Sequence, residues 1–278
     1  MAPKTLSIFS LEGKNCVVTG GAGGLGREVM SAFALSGANC ACVDLNLEAC
    51  NAAIADVRAH VQKEGGFEAP AEAFRAYAGN ATDEPDVEKT VAQIAADFGG
   101  RIDVLVTCAG ICVDAGAEDV DLATWRKVIA VNLDGTYLFA RNVGKVMLAA
   151  KTKGSMVFVS SAAAAHPPRP QAQASYNASK SAVNALTVSL ATEWAARGIR
   201  VNSFSPGFMV TPLMASQTGK TSHDEPLTPR QQEWLTQIPL GRFANPEEHR
   251  GTLVWMASDA SSYLTGANIV SDGGWVHW

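Results

Sequence analysis

The chain has 278 residues, 47% hydrophobic and 18% charged, with 22 Lys and Arg against 27 Asp and Glu for a formal net charge of −5. That balance supplies a large apolar core, excludes a disordered or low-complexity chain, and leaves no basic excess for a nucleic-acid partner. No apolar run reaches the ~18 residues of a membrane helix, the N-terminus lacks the apolar stretch of a signal peptide, and six cysteines with no Cys-x-x-Cys pair are too sparse for a disulfide scaffold, so reduced thiols in a soluble cytoplasmic protein are expected.

After an N-terminal arm over 1–10, residues 16–19 form a β-rich run that ends in glycines. A helical pattern follows over 25–36 and stops at Gly37. Residues 39–44 are again β-like, and 47–64 form an Ala-rich helix closed by Gly65-Gly66. A third strand is expected over 73–78, then a helix over 83–98 with Thr82 as its N-cap. Residues 102–106 read as a strand, 122–150 as mostly helix, 155–160 as a strand, 175–197 as a helix and 199–205 as a strand. The rhythm then breaks over 207–245, a segment expected to fold over a substrate as a loop or lid. A helix over 246–258 has Asn245 as its cap and Pro246 at its first position, and 268–271 is a last short strand.

Strands alternating with helices imply right-handed crossovers, and the near-continuous apolar strands suit a parallel sheet buried on both faces. With no linker, repeat or shift of composition, residues 1–278 are expected to form one doubly wound α/β domain. Ligands of such a sheet bind beyond the carboxyl ends of its strands.

The stretch from Thr19 to Gly26 joins the first strand to the first helix and fits two registers, Gly20-x3-Gly24-x-Gly26 and Gly21-x-Gly23-x2-Gly26. Glycines allow the tight turn and the close approach of a pyrophosphate, and the helix start supplies N–H donors. Gly20, Gly23, Gly24, Leu25 and Gly26 are therefore candidate dinucleotide contacts. Asp44, ending the second strand beside Leu45, can accept from both hydroxyls of an adenosine ribose. A 2′-phosphate there would meet a like charge, so NAD is expected over NADP; Arg27, in the first helical turn, is the residue that could reach a phosphate.

Tyr176 and Lys180 lie at i and i+4 on one helix face. Serving as a base at neutral pH costs a tyrosine about 3 pH units, or ~4 kcal/mol, and a cation at ~4 Å supplies about that much. The strand before them ends in Ser160-Ser161, hydroxyls able to hold a carbonyl oxygen.

Gly20-x3-Gly24-x-Gly26, Asn132, Ser161, Tyr176-x3-Lys180, Pro206-Gly207 and Asp272-Gly273-Gly274, in that order, resemble the motif set of the short-chain dehydrogenase/reductase family from about 11 to 275. The resemblance implies a Rossmann-type single domain and hydride transfer between NAD(H) and a secondary alcohol or ketone. It implies Tyr176 as general acid/base, Lys180 on the nicotinamide ribose and on the tyrosine pKa, Ser161 (rather than Ser160) on the substrate oxygen, and Asn132 holding a water in a proton relay. Ser175 and Ser179 are expected to serve the helix start and its packing. In the family's pattern, Asn80 and Ala81 meet adenine, Ala109 and Gly110 let the cofactor lie close, and Pro206, Gly207, Met209 and Thr211 frame the nicotinamide amide. Two departures stand out: Thr107-Cys108 replaces a pair of asparagines that usually brace the sheet, and Asn80 replaces an aspartate. Cys108 is expected to be a small buried filler, and no metal is expected.

The stretch from Pro170 to Tyr176 resembles the fungal sugar-alcohol branch, whose members are polyol dehydrogenases and ketose reductases. A polyol needs a polar partner for each hydroxyl; His166, Gln171, Gln173, Gln217 and His223 are the candidates, with Phe208 as an apolar wall. Phe208, Met209, Met214 and Trp234 would equally suit an aromatic or polyketide ketone, and a silent dinucleotide-sensing scaffold is a third reading. The family also implies a homo-oligomer, tetramer or dimer, joined through the helices over 122–150 and 175–197; Ala185, Val188, Ala191 and Trp194 lie alongside Val183, Leu186 and Leu190, apolar on more than one face. Trp275 and Trp278 are expected at a subunit contact rather than in a pocket.

Overall fold

The computed structural model describes residues 6–219 and 226–277; His223, Trp278 and the first five residues of the arm lie outside them. Seven parallel strands run in the order β3-β2-β1-β4-β5-β6-β7. They are β1 (Asn15–Thr19), β2 (Asn39–Asp44), β3 (Phe74–Ala78), β4 (Val104–Thr107), β5 (Ser155–Val159), β6 (Arg200–Pro206) and β7 (Asn268–Ser271). The order reverses between β1 and β4, which opens a crevice at their carboxyl ends.

Alternation along each strand sorts side chains onto two cores. Cys16 and Val18 face one layer with α1 (Gly24–Leu35), α2 (Leu47–Gly65) and α9 (Arg250–Ala257). Val17 and Leu105 face the other, with α3 (Glu84–Asp97), α5 (Gly135–Ala149) and α6 (Ala174–Trp194). Both faces are covered, which is why the strands lack the polar alternation of a half-exposed sheet.

Several local expectations are corrected. Asp83, not Thr82, caps α3, its carboxylate accepting from the Asp86 N–H at 3.0 Å. The helix expected over 122–150 is α4 (Leu122–Ile129), a π-turn (Ala130–Asp134) and α5. Helix α6 passes into a 3₁₀ turn, Ala195–Arg197, and ends at Gly198 with φ of 86°. The C-terminal helix begins as a 3₁₀ turn, Pro246–His249, where the Glu248 carboxylate accepts from the Asn245 N–H at 2.8 Å.

The described residues of the segment over 207–245 are more than a loop. They hold α7 (Pro212–Thr218) and α8 (Pro229–Thr236), the latter opened by a reciprocal cap between Thr228 and Gln231. Met214, Trp234, Ile238 and Phe243 join Ala162, Ala163 and Trp275 in a third, separate apolar cluster. The Arg230–Asp114 ion pair ties α8 to the loop after β4.

Candidate active site

The glycine loop leaves β1 through Gly20, whose φ is +64°. A Cβ there would stand 2.6 Å from the Ala109 nitrogen, and one on Gly26 would collide with the Gly20 carbonyl. These two glycines serve the turn's own packing against the loop after β4. Gly24, Leu25 and Gly26 open α1 along a cavity, and the Gly23 cap offers no side chain to their N–H groups. Those donors face the cavity uncapped, as an anion site requires.

Asp44 is fixed by main-chain donors from both sides, Ala22 N–H at 3.2 Å and Leu45 N–H at 2.8 Å. It lines a cavity of about 250 Å³ with Leu45, Asn80, Ala81, Ala109 and Gly110. Arg27 is turned away, donating to the Ala22 carbonyl at 3.0 Å and to Asp56 at 2.5 Å. The Asn80 amide oxygen already accepts from the Thr82 N–H at 3.0 Å and its hydroxyl at 2.8 Å. The Thr107 hydroxyl is buried without a partner among the described residues, so the departure at that position leaves a polar atom unsatisfied where the usual asparagine would brace the sheet.

A second cavity shares Gly20, Gly23, Cys108 and Gly110 with the first and runs past Lys180 to Tyr176, Pro206, Met209 and Thr211. Cys108, expected to be a buried filler, is half-buried and lines both of these cavities, with desolvation pushing its thiol up to about 12. The Thr211 hydroxyl is engaged as the cap of α7, accepting from Met214 N–H at 3.3 Å. A third cavity, lined by Ser161, Gly207, Phe208 and Tyr176, adjoins at Tyr176, Pro206, Met209 and Thr211.

At the junction, Ser161 is hydrogen-bonded to Tyr176, and the Lys180 ammonium lies 5.8 Å from the tyrosine ring centroid. Burial pushes the tyrosine up to about 12, the serine bond opposing it, and brings the lysine down to about 8. Lys180 is 4% exposed and gives one hydrogen bond, to the Val159 carbonyl at 2.7 Å, among the described residues. Its other N–H donors remain for what occupies the cavity it lines. Ser160 lines the second cavity, but its buried hydroxyl donates to the Lys180 carbonyl at 2.9 Å and so secures the helix; Ser161 is the serine of the third cavity.

Asn132 is fully buried in the π-turn. Its amide accepts from the Ile111 N–H at 2.9 Å and donates to the Ile111 carbonyl at 3.0 Å and the Ser179 hydroxyl at 2.9 Å. Both amide hydrogens are engaged, so the side chain braces the loop after β4 against α6. The Ser179 hydroxyl also donates to the Tyr176 carbonyl at 2.7 Å, which carries the brace to the turn bearing Tyr176.

Substrate-side expectations fare unevenly. His166 is exposed, edge-on to Trp275 at 5.5 Å, and is not among the residues lining the third cavity. The 3₁₀ turn Ala162–Ala164 swings it outward. Gln171, Gln173 and Gln217 do line that cavity, as does Phe208, stacked on Trp234 at 4.6 Å. Trp275 is buried in the cavity wall rather than displayed for a subunit contact. Cys112 in the same wall went unforeseen; its position two residues beyond Gly110 is the signal that could have found it.

The arrangement fits a dinucleotide: a furrow from Asp44 to Tyr176, uncapped N–H groups midway, and a buried ammonium with free donors at the far end. It places the Tyr176 and Ser161 hydroxyls beside a small cavity. The family profile described as "Enoyl-(Acyl carrier protein) reductase" matches residues 20–276. D-threitol dehydrogenase of Mycolicibacterium smegmatis is 39% identical over 96% of this chain and 94% of that protein. Sorbose reductase of Candida albicans is 38% identical over 97% of this chain and 89% of its own. A solved structure described as a candidate NAD(P)-dependent gluconate 5-dehydrogenase of Beutenbergia cavernae, with NADP at low occupancy, is 36% identical with a TM-score of 0.82, covering 97% of this chain and 99% of that one. Matching motifs, sheet order and relatives agree: the chain belongs to the short-chain dehydrogenase/reductase family and is an oxidoreductase acting on CH–OH groups.

Proposed function

We propose that the protein interconverts a sugar alcohol and its ketose with NAD(H). The observation that carries this reading is the meeting of Ser161 and Tyr176 at a cavity whose wall holds three glutamine side chains, with Lys180 lining the cavity that adjoins it at Tyr176. Relatives named for threitol and sorbose support it.

Gly20, Gly23 to Gly26, Asp44, Leu45, Asn80, Ala81, Ala109, Gly110, Pro206, Gly207, Met209 and Thr211 would hold the dinucleotide, with Tyr176 and Lys180 at its nicotinamide end. A bound nicotinamide supplies the hydride acceptor or donor. Near neutral pH, burial keeps Tyr176 protonated while Lys180 stays cationic below about 8. A protonated tyrosine is ready to donate to a ketone. Taking a proton from an alcohol needs tyrosinate, so oxidation gains as pH rises and reduction is favoured near neutrality. The Lys180 charge stabilises the tyrosinate, and Ser161 orients the substrate oxygen. Asn132 acts as the brace of this constellation.

NAD is favoured over NADP because the Asp44 carboxylate is anchored by two main-chain donors while Arg27 is occupied by Asp56. A phosphate at 4 Å would meet a repulsion of about 4 kcal/mol at an effective dielectric near 20. A homo-oligomer is supported by Tyr137 and Val188, exposed by 43% and 54% on α5 and α6; light scattering measures its size. Six free cysteines suit a reducing cytoplasm, and among the described residues no helix is long and apolar enough to cross a membrane.

A panel of tetritols, pentitols, hexitols and bulky aromatic ketones, followed through NADH and NADPH absorbance, tests the reading. Turnover of polyols with NAD is expected. Reduction of aromatic ketones with no activity on a polyol or ketose would replace it with the second reading, and no turnover at all would return the chain to a dinucleotide-sensing role.

A further inference from the structure

Three glutamines line the cavity beside Tyr176, and two of them are already engaged. The Gln173 amide oxygen accepts from the Cys112 thiol at 3.2 Å, and its nitrogen donates to Asn177 at 2.8 Å. Gln217 stands against the same Cys112 thiol and favours its ionisation. Burial pushes that thiol up to about 12, so it remains a neutral hydrogen-bonding group between the two amides. Gln171 is different. It is 8% exposed, it lines the cavity, and its side chain makes no hydrogen bond to a described residue.

An amide carries donors and an acceptor, and leaving them unpaired in a water-poor site is unfavourable. The Gln171 amide is not enclosed in the core but opens to the cavity, so a substrate that displaces water there must replace the hydrogen bonds that water makes. A hydroxyl both donates and accepts, so a second hydroxyl of the substrate suits this amide. The reacting hydroxyl is taken by Ser161 and Tyr176.

We propose that Gln171 is the residue that reads a hydroxyl beyond the reacting carbon and so distinguishes polyols from simple secondary alcohols, while Gln173 is a positioning residue held by Cys112 and Asn177. This rests on the sugar-alcohol reading above. The sequence offered Gln171 as one of several polar candidates, with Gln173 and His166 put forward as substrate contacts; the pairing of Gln173 and the exposure of His166 single Gln171 out.

The test compares the wild type with Gln171→Leu and Gln171→Met on two substrates, a pentitol or tetritol that the wild type oxidises and a monohydroxy secondary alcohol of similar length. A lost neutral hydrogen bond is expected to raise KM for the polyol about tenfold. KM for the simple alcohol, and the affinity for NADH by fluorescence, should stay within about twofold. Gln171→Met, unbranched and of similar length, covers the case in which leucine does not fold. If both variants handle the two substrates in the wild-type ratio, or lose both equally while NADH binding persists, Gln171 is a wall and the assignment is overturned. A wild type that oxidises no polyol overturns the sugar-alcohol reading and Gln171's role with it, an outcome visible before any variant is made.

Discussion

The half of the molecule that faces a nucleotide and the half that faces a substrate are built by different means. The first is made of backbone: a glycine turn, uncapped N–H groups, and a carboxylate pinned by the Ala22 and Leu45 amides, all at strand ends. The second is made of side chains drawn from four separate stretches, with Phe208, Trp234, Phe243 and Trp275 packed as a small cluster of their own. Backbone geometry repeats wherever the same dinucleotide is bound. A side-chain cluster can be exchanged without touching the sheet, which is how one scaffold serves many alcohols.

The sharpest way to break this division is at its seam. Tyr176→Phe removes the proton carrier and nothing else, so turnover should fall by at least about 100-fold while NADH fluorescence titrates as in the wild type. A variant keeping a tenth of the activity would remove Tyr176 from the chemistry.

Next in size is Trp234→Ala. Trp234 is fully buried and stacked on Phe208, so its truncation should loosen the substrate half. Removing such a side chain forfeits about 3–5 kcal/mol of packing. A lower thermal midpoint and a KM for the alcohol raised more than tenfold are expected, with the NADH dissociation constant nearly unchanged. Equal loss of both affinities would show that the two halves are one cooperative unit.

Asp44→Ser probes the nucleotide half alone. The ratio of kcat/KM with NADP to that with NAD should rise by about tenfold or more, while the alcohol KM moves little. A wild type that already prefers NADP would remove the electrostatic account of Asp44.

Thr107→Val should have the smallest effect. The hydroxyl is buried and has no partner among the described residues, so a methyl in its place should leave the unfolding free energy, read from the denaturation curve, unchanged or raise it by up to about 1 kcal/mol. A clear destabilisation would show that this hydroxyl has a partner, such as a buried water.

Much of the site was legible because its carriers are local. Gly20 to Gly26, Asp44, Ser161 and the Tyr176–Lys180 pair each depend on a spacing of a few residues or on the end of a strand, and the cavities place them together. His166 and Gln171 show where that logic stops. Both lie between Ser161 and Tyr176, and which of them faces the cavity is set by a 3₁₀ turn after β5 and by the wall that Trp275 forms from the far end of the chain. Asn132 was visible as a residue, but its engagement with Ile111 and Ser179 depends on a π-turn that its helical surroundings do not announce.

By itself, then, the sequence determined the doubly wound sheet, the strand-end positions and the placing of Tyr176 and Lys180 on one helix face, because hydrophobic period, glycine chemistry and i to i+4 spacing act over short stretches of chain. The tertiary structure alone decided that the described residues of 207–245 form α7 and α8 on a third core, that Trp275 turns inward, and that Gln173 is tied to Cys112 while Gln171 is left open. Those outcomes depend on contacts between residues far apart in the chain, and side-chain packing and hydrogen-bond pairing over such separations leave no periodic trace.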